Sequence, residues 1–149
     1  MTYVSGGHGL WSTADDYLTF AQMFVHAGTV NGVRLLKPET FKRMVTNCLS
    51  GDQLVKARSM LNAGHGFGLG VAVVLDPLQA GPQPCGGGMG AVGWPGAFGG
   101  WWRADPGSNS VLIFLTHNML ELEQIFDGIG LGAFDAMAQF QAQAMTLLR

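Results

Sequence analysis

Residues 93–106 read GWPGAFGGWWRADP, and this stretch decides the fold. A glycine-dense run ends in apolar residues, a turn follows at residues 105–109 (DPGSN), and residues 111–116 (VLIFLT) are strongly β-forming. The pattern predicts two antiparallel strands, around residues 91–104 and 110–117. Glycine inside a strand marks a close approach to the backbone, which suits a strand N–H that binds an oxyanion. The local pattern alone favours a plainer alternative, a glycine-rich hairpin that binds no ligand.

A further strand is predicted upstream of this stretch. Residues 67–75 (FGLGVAVVL) place two glycines early and β-branched residues late, and Asp76-Pro77 closes the run. The glycine- and proline-rich residues 82–90 form a loop. Their CGGGMG sequence lacks the lysine and hydroxyl of a phosphate-binding loop, so it is not interpreted as one. The three predicted strands form an antiparallel meander.

Helices are predicted on both sides of the strands. Residues 12–27 begin with a hydroxyl cap and first-turn acids and continue with apolar side chains at helical spacing. Pro38 is a favoured first residue for a second helix, over residues 38–47. Residues 50–62 are more polar and less periodic, and they are read as a loop in which a helical turn can form. A closing helix over residues 122–148 becomes regular near Leu131, because glycines weaken its start. The fold class is therefore α+β, an antiparallel sheet with flanking helices.

The composition narrows the possible function. The chain has 149 residues, one domain's worth, of which 48% are hydrophobic and 12% charged, whereas about 25% charged is usual. We expect another protein segment to cover part of the exterior. The net charge of −2 and the lack of any Lys/Arg cluster argue against a nucleic-acid partner. No run reaches the ~18 apolar residues of a membrane span, and residues 1–149 are not expected to include a signal peptide. The compartment stays open, cytoplasmic or periplasmic.

Cysteine and histidine usage predicts neither a metal site nor a cofactor. Cys48 and Cys85 are far apart and match no metal-binding spacing, so free thiols are expected over a disulfide. The four histidines are scattered, without the paired spacing of a zinc site. No cofactor is therefore expected.

Five short motifs carry a resemblance to a known family. In chain order they are SGGHGL at residues 5–10, STADDY at 12–17, RLLKPET at 34–40, GFGLG at 66–70 and GWPG at 93–96. Together they resemble the C-terminal portion of the serine β-lactamase-related hydrolases, which include class C β-lactamases, penicillin-binding-protein-like esterases and related acyltransferases. Each motif alone is weak, but five in the family's order are fairly specific.

The resemblance implies roles for particular residues. The family's site combines a Ser-x-x-Lys nucleophile and base, a Tyr-x-Asn pair, and a strand that bears Lys-Thr-Gly or a variant. Trp94, Pro95 and Gly96 stand at the position of this third element, and the resemblance assigns them, with Phe98, to substrate binding. Ala97 follows, where the family uses a strand N–H as half of its oxyanion hole.

The first two elements are missing from the sequence. No serine has a lysine three residues later, and neither Tyr3 nor Tyr17 has an asparagine two residues later. We therefore expect residues 1–149 to be a C-terminal segment of such a domain, mostly helical over residues 1–62, with the strands and closing helix over residues 63–149. The expected fold is partial, without the N-terminal strand, the nucleophile helix and most of the helical lobe. The low charge is consistent with apolar surface that such elements cover.

The resemblance implies that the chain is the C-terminal part of a serine hydrolase, which acts on small esters or β-lactam-like amides through an acyl-enzyme. The chain alone is expected to be incompetent, because an acyl-enzyme needs a nucleophile. Self-association or a missing N-terminal segment is the expected partner. A non-catalytic interaction module is the alternative, with a contact patch of Trp94, Trp101 and Trp102. A domain that works with a separately encoded Ser-x-x-Lys partner is a third, less favoured option.

Overall fold

A computed structural model describes residues 9–148, so residues 5–8 of the SGGHGL motif lie outside the described part. Two short strands and three helices come first, and a five-stranded sheet and two further helices follow. The elements are α1 (Ala14–Val25), β1 (Thr29–Val30), β2 (Val33–Arg34), α2 (Pro38–Met44), α3 (Gly51–Lys56), a 3-10 turn (Ala57–Ser59), β3 (His65–Phe67), β4 (Ala72–Val74), β5 (Val92–Pro95), β6 (Trp101–Asp105), β7 (Ser110–Phe114), α4 (Leu122–Phe126) and α5 (Gly132–Leu147). The α+β class is confirmed.

Local capping explains where the first two helices begin. The Thr13 hydroxyl oxygen accepts a hydrogen bond from the Asp16 N–H at 3.1 Å and caps α1. α2 begins at Pro38, as expected. The Asn31-Gly32 turn joins the short strands β1 and β2, which pair antiparallel. The two predicted N-terminal helices are thus confirmed, each ending two or three residues earlier than expected.

The loop predicted over residues 50–62 contains more helix than the helical turn considered there, because α3 spans Gly51–Lys56 and a 3-10 turn follows. The Ser50 hydroxyl oxygen accepts from the Gln53 N–H at 3.4 Å, and the Gln53 side chain accepts from the Ser50 N–H at 2.8 Å. This reciprocal capping box starts α3 by satisfying two N–H groups that the first turn leaves free. The closing helix predicted over residues 122–148 is divided into α4 and α5, and the start of its regular part is confirmed, because α5 begins at Gly132.

The strand predicted over residues 67–75 is wrong as a single element. The chain turns at residues 68–71 and returns, so that β3 and β4 pair antiparallel. The Gly68 N–H donates to the Val71 carbonyl, and the Leu69 N–H donates to the Met44 carbonyl at the end of α2. Gly70 has a φ of +86°, a conformation that glycine adopts without strain. Glycines that were placed inside a strand therefore form a turn.

The strand predicted over residues 91–104 is divided in the same way. β5 ends at Pro95, residues 96–100 turn, and β6 begins at Trp101. The Gly96 N–H donates to the Gly100 carbonyl at 2.6 Å and closes this turn. The sheet therefore has five strands in the order β3-β4-β5-β6-β7 rather than the three predicted, and every pair is antiparallel as expected.

Helices cover opposite faces of this sheet. On the α1 face, Ala21, Met23 and Phe24 of the helix share a buried cluster with Val92 and Trp102. On the α5 face, the rings of Phe114 and Phe140 lie 5.7 Å apart, and a second buried cluster contains Ala72, Val74, Cys85, Ala91 and Leu61. The closing helix packs on one face, as the sequence predicts.

Candidate functional site

A cleft of about 430 Å³ opens on the α1 face of the sheet. Its walls come from α1, from the ends of α2 and β5, from the β3–β4 turn and from the starts or ends of β6 and β7. The lining residues are Tyr17, Phe20, Met44, Leu69, Gly70, Val71, Trp94, Pro95, Gly96, Gly100, Trp101, Trp102, Ile113 and Leu115. Three of the five family-like motifs, at residues 12–17, 66–70 and 93–96, thus contribute to one cleft.

Aromatic packing holds the wall that α1 contributes. The ring of Tyr17 lies edge-on to those of Phe20 and Trp102, at centroid distances of 5.6 and 5.9 Å. Such edge-to-face pairs stabilise beyond the area that they bury. Burial raises the pKa of the Tyr17 hydroxyl above its ordinary value, because removal from water disfavours the phenolate. Tyr17 therefore presents a neutral hydroxyl donor at ordinary pH.

β5 contributes the wall that the sequence singled out. Trp94 pairs in register with Trp102 of β6 and packs edge-on against Phe67 at 4.9 Å. Just before it, Gly93 lies so close to β6 that a Cβ there would collide with the Trp102 carbonyl oxygen. The close approach expected for a strand glycine is therefore made by the neighbouring strand.

Ala97 and Phe98 lie outside the lining of the cleft. Both are exposed in the turn between β5 and β6, so the Ala97 N–H belongs to a turn and not to a strand. Phe98 stacks on His117 at 4.8 Å, and its carbonyl accepts from the Asn118 N–H. The structure thus brings Trp94, Pro95 and Gly96 together in the cleft and places the other two predicted site residues beside it.

The lining offers shape and apolar contact more than reactive groups. Tyr17 is the single titratable side chain that residues 9–148 contribute to it. Within the same residues, no three His, Cys, Asp or Glu side chains gather in a way that could hold a metal ion. Cys48 is exposed, Cys85 is buried, and both are free. None of the described helices is both long and apolar enough to cross a bilayer.

Several cleft residues were not predicted as site residues. Tyr17 and Phe20 were assigned to the apolar stripe of a helix, a position from which they also reach the cleft. Leu69 and Gly70 belong to the GFGLG motif, whose resemblance to the family was the available signal. Nothing in the sequence indicated that Met44 lines the cleft, because its place there depends on where α2 meets the β3–β4 turn.

Comparison with known proteins identifies relatives. A family model described as Beta-lactamase matches residues 1–127. Protein Rv1367c of Mycobacterium tuberculosis strain H37Rv and the uncharacterised protein MT1414 of strain CDC 1551 are each 45% identical to this chain over 125 residues. The matches cover 81% of this chain and 31% of each relative, so the chain spans about a third of their length.

Solved structures resemble the fold. The unliganded simvastatin synthase (LovD) of Aspergillus terreus matches with a TM-score of 0.51 at 16% identity, over 68% of this chain and 27% of that one. A LovD6 mutant of the same enzyme matches with a TM-score of 0.49 at 20% identity, over 66% of this chain and 26% of that one. The first likeness supports the partial β-lactamase-like fold.

Proposed function

Because the chain belongs to the β-lactamase family, we propose that its cleft is the acyl-group pocket of a serine hydrolase or acyltransferase. The substrates would be esters or β-lactam-like amides, and the reaction would pass through an acyl-enzyme. One observation carries this proposal: Trp94, Pro95 and Gly96, at the position of the family's third motif, line an apolar cleft of about 430 Å³.

The Ala97 N–H is the proposed oxyanion donor. Among residues 9–148 it donates to no protein acceptor, and it lies in the turn that follows the cleft-lining Gly96. A main-chain N–H needs no side-chain ordering to stabilise an oxyanion. Phe98, which is about half exposed next to it, would contact the part of the substrate that extends out of the cleft.

The 149-residue chain would be catalytically incompetent by itself. It contains no Ser-x-x-Lys and no Tyr-x-Asn, and loss of a nucleophile or its base costs several orders of magnitude in rate. We expect the purified chain to hydrolyse an activated aryl ester no faster than its heat-denatured control. A fluorophosphonate probe should label no serine. Specific labelling of one serine together with burst kinetics would overturn this proposal.

Substrate preference follows from Trp94. Its indole supplies an apolar face and one N–H donor, whereas a lysine or histidine at this position would supply a cation for the carboxylate of a β-lactam. A complete enzyme with this motif should favour uncharged esters. The measurement compares kcat/KM for a short-chain aryl ester and for a cephalosporin. A Trp94→His variant should reduce the ratio of kcat/KM for the ester to kcat/KM for the cephalosporin. A clear preference of the unsubstituted enzyme for the cephalosporin would contradict the proposed role of Trp94.

A non-catalytic interaction module is the second candidate. Trp101 and Trp102 are only 2% and 7% exposed, so the contact patch expected from three tryptophans is wrong. Other apolar side chains favour association instead, because Leu10, Trp11 and Leu78 are almost fully exposed. Light scattering should show concentration-dependent association of the chain. A stable monomer at high concentration would exclude this candidate.

A further inference from the structure

Arg103 is a buried cation on the α5 face of the sheet. Its side chain extends from β6 away from the cleft and is 1% exposed. Its Nε has no hydrogen-bond partner, and one terminal nitrogen donates to the Met145 sulfur at 3.2 Å, a weak acceptor. Within residues 9–148 no carboxylate forms an ion pair with it. A guanidinium removed from water in this way favours an anionic partner.

Asp105 does not serve as that partner. Its carboxylate accepts hydrogen bonds from the N–H groups of Gly88 at 2.8 Å, Gly107 at 2.9 Å and Ser108 at 3.3 Å. Burial lowers the pKa of Arg103, and the charge of Asp105 offsets this only in part. The hydrogen-bonding capacity of the Asp105 carboxylate is therefore used by the backbone of two loops, and its charge stabilises Arg103 only in part.

A cavity of about 350 Å³ adjoins Arg103, between α5 and the loops over residues 77–87. Gln141 also lines it, is 4% exposed, and has an amide nitrogen without a partner. The remaining wall is largely apolar and includes Ala80, Ala138 and Ala142. The cavity thus combines one cation with an apolar surround, and the Gln141 amide borders it.

Glycine keeps space open beside these two side chains. A Cβ on Gly86 would lie 3.3 Å from the Gln141 Oε1 and 3.8 Å from an Arg103 terminal nitrogen. A side chain at this position would therefore crowd the space between the cation and the amide.

We propose that this cavity binds a small monocarboxylate with a short apolar body. A carboxylate matches the planar, charged guanidinium in geometry and in charge. The alanine side chains of α5 would contact the aliphatic part. A phosphate dianion fits less well, because Arg103 is the single cation in the described lining and the carboxylate of Asp105 lies nearby.

Butyrate, with its neutral isostere butyramide as a control, tests the proposal on the 149-residue chain. A ligand that binds the native state raises the thermal unfolding midpoint in a saturable way. Butyrate should do so, whereas butyramide and inorganic phosphate at equal ionic strength should not. Absence of a saturable shift with butyrate, or an equal shift with butyramide or phosphate, would overturn the proposal.

Two variants locate the binding. Arg103→Met should weaken butyrate binding by about tenfold or more, while the unliganded protein stays folded because a buried unpaired charge has been removed. Ala138→Leu fills the cavity from an exposed helix position and should abolish the response. Ala136→Leu, also exposed on α5 but outside the lining, should retain it. Retained binding in Ala138→Leu would overturn the site, even where Arg103→Met fails to fold.

Discussion

The two faces of the five-stranded sheet are stabilised by different interactions. On the α1 face, the Trp102 ring contacts those of Tyr17, Phe20 and Phe24 at centroid distances of 5.9, 6.0 and 5.1 Å. The α5 face instead buries polar side chains, among them Arg103 and Asp105. Neighbouring residues of one strand, β6, thus face an aromatic core on one side and a polar network on the other.

The difference teaches where each kind of binding fits. Apolar packing leaves few unsatisfied groups, so the proposed acyl group would bind in the cleft on the α1 face by shape and apolar contact. The α5 face retains buried donors without partners, at Arg103 Nε and Gln141 Nε2. Because an unpartnered buried donor is unfavourable, that face is the one on which we propose an anionic ligand. Substitutions on the α1 face should therefore change stability through lost apolar packing, and those on the α5 face through lost hydrogen bonds and charge interactions.

Trp102→Ala should give the largest effect, because it removes the ring that joins three others. We expect a loss of about 3–5 kcal/mol in the free energy of unfolding, the usual range for a buried tryptophan. Chemical denaturation monitored by circular dichroism measures it. Trp11→Ala is the matched control, since Trp11 is 98% exposed and surface changes stay within about 0.5 kcal/mol. Equal losses of unfolding free energy in Trp102→Ala and Trp11→Ala would show that aromatic packing does not stabilise the α1 face.

Asp105→Ala tests the polar face and should have a smaller effect. It leaves three backbone N–H groups without their acceptor, for which we expect a loss of about 2–3 kcal/mol. Asp105→Asn, which keeps one carbonyl oxygen, should lose less. A loss near zero in the alanine variant would mean that water replaces the carboxylate, and the face would not depend on buried polar contacts.

Cys85→Ala should change the free energy of unfolding least at neutral pH, and its effect should grow as the pH rises. Burial raises the pKa of its thiol to about 12 from 9.0, and Arg103 opposes the shift. Because the folded-state pKa is the raised one, the thiol's contribution is complete below pH 9.0 and is lost between 9.0 and about 12. Stability measured across this range should fall less steeply in Cys85→Ala.

Thiol labelling provides an independent readout of the same burial. At pH 8, iodoacetamide should modify the exposed Cys48 rapidly and Cys85 only after unfolding. Rapid labelling of both cysteines in the native protein would show that the α5 face opens easily, and it would weaken the contrast between the faces.

Features governed by neighbouring residues could be predicted. The hydroxyl of Thr13 and the ring of Pro38 act within a few positions, and the structure has helix starts there. The α3 helix carried the same kind of signal in Ser50 and Gln53, at capping-box spacing, but the prediction placed there a loop in which only a helical turn was considered. The sequence prediction therefore overlooked the capping box that starts α3.

By itself, the sequence determined the α+β class, the helix starts and the segment that forms the β5 wall of the cleft, because these depend on local capping, periodicity and short motifs. Only the tertiary structure decided that residues 67–75 and 91–104 each contain a turn, since glycine suits both states and distant backbone partners choose between them. It also decided the burial of Arg103 against α5, because a strand's own pattern does not specify what will cover each face.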